Sequence, residues 1–301
     1  MASSGWSDRI LVATDGSASS VVAQKLTAFV AKKFKSKVTV IHAVFPEAIG
    51  LHLTGPEEAG PGYVPIWWGG RIYFPRAREV VEEITESPQQ RGTAIVADAV
   101  AHFREEGIEV NQRIENADPA EAILNEAEIR SYDLIAMGSG GETKRERRLG
   151  NVTKKVSLHA KTSVLIARER TQISKILVPV DGSENSKKAF EHAVALARKT
   201  DSRMTLVNVL EPGFFNMKPE LSKEIGSQIL SRAADKANGV KIDQKLESGD
   251  PAETVVKIAH GEEYDLIVMG SRGHGAIERW LLGSVSDHVI QFTGRSVLLV
   301  K

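Results

Sequence analysis

Ile10-Leu11-Val12-Ala13-Thr14-Asp15-Gly16-Ser17 returns 166 positions later as Ile176-Leu177-Val178-Pro179-Val180-Asp181-Gly182-Ser183. Each copy is a short apolar run that stops at Asp-Gly-Ser, the pattern of a buried strand ending in a turn. An amphipathic stretch follows in both, 18–34 and 184–199, and then a second apolar run, 38–45 and 204–210. Further along, Ala117-Asp118-Pro119-Ala120-Glu121 matches Gly249-Asp250-Pro251-Ala252-Glu253. Aspartate before proline reads as an N-cap followed by the first helical turn. Tyr132-Asp133-Leu134-Ile135-Ala136-Met137-Gly138-Ser139 then matches Tyr264-Asp265-Leu266-Ile267-Val268-Met269-Gly270-Ser271, and each copy closes on an apolar run, 163–167 and 296–300. Matches this numerous, in one order, identify a tandem duplication.

Strands alternating with helical stretches of this length indicate βαβ units and a mostly parallel sheet covered on both faces. Right-handed crossovers then select an α/β architecture of two Rossmann-like, doubly wound domains, each with five strands. The boundary is expected in the polar stretch 169–174, giving domains 1–170 and 171–301. The offset between copies shrinks from 166 at Asp15/Asp181 to 132 at Asp118/Asp250, so the first copy carries about 34 extra residues, within 46–88. That insert holds Tyr63, Trp67, Trp68 and Tyr73, and Ala77, Val80, Val81 and Ile84 follow at helical spacing. It reads either as a lid or partner surface, or as an extension that packs its aromatics on its own domain.

Composition narrows the function. Lysine plus arginine and aspartate plus glutamate are 39 each, so the formal net charge is zero and counterion release gives little drive toward nucleic acid. The absence of cysteine excludes disulfides, thiolate metal sites and thiol nucleophiles. The eight histidines are scattered, with no ligand-type spacing, so no metal site is expected. No apolar run reaches bilayer length and residues 1–7 lack signal-peptide features, so a cytoplasmic protein without membrane contact is expected.

In an open α/β sheet, ligands bind beyond the carboxyl ends of the strands where the strand order reverses. There the second copy places Asp181 and a loop, Gly270-Ser271-Arg272-Gly273, followed after nine residues by Gly283-Ser284-Val285-Ser286. Glycines let the backbone approach a ligand closely, and Gly283-Ser284 sits where an apolar-periodic helix begins. A helix N-terminus favours an anion; Arg272, His274 and Arg279 add charge nearby. Read blandly, Asp15 and Asp181 only cap turns.

Those residues, in that order, resemble the universal stress protein family, whose ATP-binding members carry Gly-x2-Gly-x9-Gly-Ser/Thr after strand four. The resemblance covers nearly the whole chain as two fused family domains, apart from the insert and the termini. It implies a nucleotide pocket in the second copy. Pro179, Val180 and Asp181 would line the adenine and ribose end, and Val209 would meet the adenine through its backbone. Met269, Gly270, Arg272 and Gly273 would surround the ribose and phosphates. Gly283, Ser284, Val285 and Ser286 would hold the phosphates, with a divalent ion such as magnesium on them.

The corresponding positions of the first copy are Ala13, Thr14, Asp15, Ala43, Met137, Gly138, Gly141, Gly150, Asn151 and Val152. This copy departs from the pattern: only eight residues separate Gly141 from Gly150, and Asn151 replaces the serine. The missing residue is expected to shift the loop relative to the helix start, while Lys144, Arg145, Arg147 and Arg148 supply charge within it. The resemblance thus implies an ATP-binding stress-response regulator acting on a protein partner. Its rivals are a slow ATP hydrolase and a nucleotide-free scaffold working through the insert. The resemblance also implies that 164–166 and 297–299 pair within one chain as a pseudo-dimer, with a homodimer of chains as a further possibility.

Overall fold

The computed structural model describes residues 7–44, 66–68, 71–73, 88–140, 149–211, 218–273 and 282–301. Strand β1 (Arg9–Ala13) is followed by helix α1 (Ala18–Phe34) and β2 (Lys37–Ala43). Within the insert, β3 (Ile66–Trp68) and β4 (Arg71–Tyr73) pair as a separate antiparallel hairpin, an element that the sequence pattern did not mark. The first half is completed by α2 (Pro88–Glu105), β5 (Val110–Glu115), α3 (Pro119–Ile129), β6 (Leu134–Gly138), α4 (Asn151–His159) and β7 (Ser163–Ala167). The second half repeats the order: β8 (Lys175–Pro179), α5 (Glu184–Thr200), β9 (Arg203–Leu210), α6 (Pro219–Ala234), β10 (Ile242–Ser248), α7 (Pro251–Gly261), β11 (Leu266–Gly270), α8 (Ser284–Phe292) and β12 (Ser296–Val300). The expected helical stretch at 75–86 lies outside the described residues.

The local chemistry of the two halves is matched. Ser17 caps α1 by accepting the Ser20 amide, and Ser183 caps α5 by accepting the Ser186 amide. Both helices end on a residue in the left-handed region, Lys35 at φ 58° and Asp201 at φ 55°. Asp118 and Asp250 cap α3 and α7 ahead of a first-turn proline, as the Asp-Pro signal predicts.

All these strands except the insert hairpin join one ten-stranded sheet in the order β10-β9-β8-β11-β12-β7-β6-β1-β2-β5. Each half has strand order 3-2-1-4-5 and is parallel within itself. At the joint, β12 meets β7 antiparallel, with Val297 opposite Ile166, Leu298 opposite Leu165 and Leu299 opposite Val164. The carboxyl ends of the two half-sheets therefore point to opposite edges of the shared sheet. Alternate strand side chains feed two cores, one on each face: Ile10, Val12, Leu298 and Val300 on one, Leu11, Ala13, Val297 and Leu299 on the other. Both cores run across the joint, so the halves share buried apolar surface rather than merely touching. Among the described residues, no helix is long and apolar enough to cross a membrane.

Candidate nucleotide site

The site of the second half is assembled at the carboxyl edge of β8 and β11. Val180 continues β8 by donating its amide to the Val207 carbonyl (2.9 Å), and Asn208 Nδ2 donates to the Val180 carbonyl (2.7 Å). Asp181 follows. Its Oδ1 accepts the Ser183 amide (2.9 Å), fixing the Asp-Gly-Ser turn, with Gly182 at φ 85°. The other carboxylate oxygen reaches the glycine loop: a Cβ added to Gly273 would lie 2.7 Å from Asp181 Oδ2. Thus Asp181 and Gly273, 92 positions apart, are brought into contact.

Strand β11 delivers the other wall. Met269 is buried, and Gly270 packs so closely on the start of α5 that a Cβ would lie 2.8 Å from the Asn185 backbone. The loop then closes on itself, because the Gly283 amide donates to the Ser271 carbonyl (2.9 Å). Gly283 is the N-cap of α8 and no side chain caps that helix, in contrast to α5 and α7. Ser284 is exposed at this helix start, and Val285 and Val209 are half-buried. The buried Ser286 hydroxyl instead donates to the Gly270 carbonyl (2.8 Å), which ties α8 to β11. Its proton is committed to the scaffold, so a ligand would meet it only as an acceptor.

The first half builds the same frame with different fittings. The Thr14 amide donates to the Ile41 carbonyl (3.0 Å), and His42 Nδ1 lies 2.8 Å from the Thr14 carbonyl, in the place of Asn208. Asp15 Oδ1 accepts both the amide and the hydroxyl of Ser17. Partial desolvation opposes its charge, but these bonds outweigh it and hold the carboxyl below its ordinary pKa. Gly138 meets the Ser19 backbone, and a Cβ there would lie 2.6 Å away. Thr153 donates to the Gly138 carbonyl (2.9 Å), reproducing the Ser286 tie. Ala13 and Met137 are buried, Ala43 and Val152 half-buried, and Asn151 exposed.

The shortened loop does not shift the helix start, contrary to the sequence expectation. The Gly150 amide donates to the Ser139 carbonyl (2.8 Å), the same closure as Gly283 to Ser271, and Gly150 caps α4 as Gly283 caps α8. Gly141, Lys144, Arg145, Arg147 and Arg148 lie outside the described residues, as do His274 and Arg279.

A model of the universal stress protein family matches residues 71–168 and 172–301. The chain belongs to this family. A universal stress protein of Methanocaldococcus jannaschii is 36% identical over 138 residues, spanning 42% of this chain and 81% of its own length. A universal stress protein structure from Archaeoglobus fulgidus covers 98% of both chains with a TM-score of 0.70 at 21% identity. A functionally unknown protein from Pseudomonas aeruginosa covers 98% of this chain and 92% of its own, with a TM-score of 0.65 at 13% identity. The likeness to these two structures is one of fold.

Three features of this family member escaped the sequence reading. Asn208 buttresses the strand-one carbonyl beside Asp181, yet a lone asparagine in an apolar run carries no distinguishing mark. Ser271 is fully buried inside the loop, and its hydroxyl has no hydrogen-bond partner among the described residues. Lys301, directly after β12, donates from Nζ to the Ser157 carbonyl of α4 (2.6 Å). Only the doubled frame would have exposed this last contact, through its counterpart Arg168 after β7.

Proposed function

We propose that the chain is an ATP-binding regulatory protein of the universal stress protein family, with the nucleotide held at the strand ends of the second unit. We read the units as 1–170 and 171–301. One observation carries the proposal: an uncapped glycine helix start, Gly283, is locked to the Ser271 carbonyl within a loop whose Gly273 touches the strand-one carboxylate Asp181. Backbone amides and the dipole at that helix start suit phosphate, while the carboxylate suits a ribose hydroxyl. The Gly-x2-Gly-x9-Gly-Ser spacing supports ATP among anionic ligands. Binding then biases a surface read by a protein partner.

The test is chromatography of nucleotide released from purified protein, followed by titration with ATP and magnesium. Near-stoichiometric ATP is expected, with affinity lost by an order of magnitude or more in Asp181→Ala and in Gly283→Val. Absence of nucleotide together with unchanged weak binding in both variants overturns the proposal. Steady conversion of ATP to ADP by the wild type, abolished in Asp181→Ala, would replace regulation by hydrolysis.

A further inference from the structure

Helices α4 and α8 each run from one strand-end site toward the other. Helix α4 starts at Gly150, on the carboxyl edge of the first half-sheet, and runs back toward its amino edge. Because β7 and β12 are antiparallel, that amino edge lies beside the carboxyl edge of the second half-sheet. Helix α8 makes the reciprocal run from Gly283. Nine residues at about 1.5 Å each give each helix a reach of about 13 Å.

Near its far end, each helix is gripped by a cation from the other half. Lys301 Nζ donates to the Ser157 carbonyl of α4 (2.6 Å), and Arg168 donates from its guanidinium to the Ile290 carbonyl of α8 (2.8 Å). The two contacts are related by the internal repeat: 157 and 290, like 168 and 301, differ by 133. They differ in setting, because the Ser271 amide donates to the Val300 carbonyl (2.7 Å), which places Lys301 next to the second glycine loop. Burial, and then the charge of Arg272, push the Lys301 amine down to about 8.

We propose that Lys301 is a positioning residue coupling the two sites: an anion held beside Arg272 tightens the Lys301 grip on α4 and so steadies the helix start at Gly150. This rests on the nucleotide reading above. The anion offsets the repulsion between Arg272 and the Lys301 ammonium, so its charge-assisted bond to the Ser157 carbonyl strengthens. A cation near the C-terminal turn of α4 complements the helix dipole, whose positive end is the Gly150 site. By linkage, occupancy of the first site must tighten the second by the same factor.

Hydrogen exchange of the full chain, with and without ATP and magnesium, tests this in wild type, Lys301→Met and Lys301→Arg. In wild type, ATP should slow exchange in the first turns of α8 and also in the last turn of α4, by about fivefold or more there. Lys301→Met should keep the α8 response and lose that of α4; Lys301→Arg should restore it. An α4 response that survives in Lys301→Met, or that never occurs while α8 responds, overturns the coupling and leaves the nucleotide reading intact. No response in either helix overturns both.

Discussion

Gly138 and Gly270 end the fourth strand of each half against the first helix, and alanine at either position tests how tightly sequence, packing and site are linked. At Gly270 the new methyl would meet the Asn185 backbone at 2.8 Å, and at Gly138 the Ser19 backbone at 2.6 Å, whereas ordinary contact begins at 3.4 Å. The obstruction is main chain at the start of a helix, so the helix end must move by about 0.6 Å at Gly270 and about 0.8 Å at Gly138. Overpacking of this kind costs about 1–3 kcal/mol. Against it stands about 0.4–1 kcal/mol from the less flexible unfolded chain. The net expectation is a loss of about 1–2 kcal/mol for each, slightly more at Gly138. Gly261, at the end of α7, has nothing within 4 Å of a new Cβ, so Gly261→Ala keeps only the favourable part, up to about 1 kcal/mol.

Urea unfolding followed by circular dichroism reads these signs directly. Gly270→Ala at or above wild-type stability, or Gly261→Ala losing as much as Gly270→Ala, would falsify the close-packing argument. A binding consequence follows from the same geometry. Displacing the start of α5 moves the Asp181–Ser183 turn that leads into it, so Gly270→Ala should lower ATP affinity by on the order of tenfold, or about 1.4 kcal/mol. Gly138→Ala, with comparable instability, should leave binding at the second site largely intact. If both variants bind equally poorly, the effect is global instability and not geometry.

Burial, with Lys188 adding repulsion, pushes His192 down to about 4. The unfolded chain takes up this proton near pH 6.5 and the folded protein only near 4, so stability falls as pH drops through that window, by at most about 3 kcal/mol. Urea midpoints of His192→Gln should be flatter with pH across it; slopes equal to wild type would refute the assignment. Asp265 Oδ2 accepts the Ser174 amide (2.9 Å), the Ser174 hydroxyl (2.7 Å) and the Lys175 amide (3.0 Å), pinning the start of β8 to β11. Its counterpart Asp133 accepts the Arg9 amide (2.8 Å). Asp265→Ala should therefore cost about 2–4 kcal/mol and Asp133→Ala nearer 1, with the order reversed if the hydrogen-bond reasoning is wrong.

The fold was legible where residues are buried on both faces. Strands such as Ile10–Ala13 and Ser296–Val300 are unbroken apolar runs because helices cover them on both sides. The outer strands β5 and β10, VNQRIE and IDQKLES, have one neighbour each and stay largely exposed or half-exposed, so no apolar run marks them. The helix starts at Asp118 and Asp250 were readable because capping is a local chemical requirement, whereas Ser17 and Ser183, read only as the end of a turn, also cap the helices that follow. The Asp181–Gly273 contact was legible only through the repeated motif and its resemblance. The Ser286 and Thr153 ties were not legible: a hydroxyl that serves the scaffold and one that serves a ligand are identical in sequence.

The divergence of the two sites lies in backbone as much as in side chains. Both loops close by the same amide-to-carbonyl bond, so the missing residue of the first copy leaves its base unaltered. What differs is the residue stacked against the helix-start glycine. A Cβ on Gly283 would lie 3.2 Å from Arg272 Cα, and one on Gly150 would lie 3.0 Å from Gly140 Cα. Gly140 adopts φ 71°, a conformation that costs an ordinary side chain about 1–2 kcal/mol, whereas Arg272 is not among the positive-φ residues. The first loop thus turns left-handed at Gly140, the position where the second presents Arg272. Restoring an arginine there would reinstate the charge but oppose the turn. Under the nucleotide reading, the two copies hold the same anion-directed helix start, and the second sets Arg272 beside it, next to the Lys301 that reaches across the joint to α4.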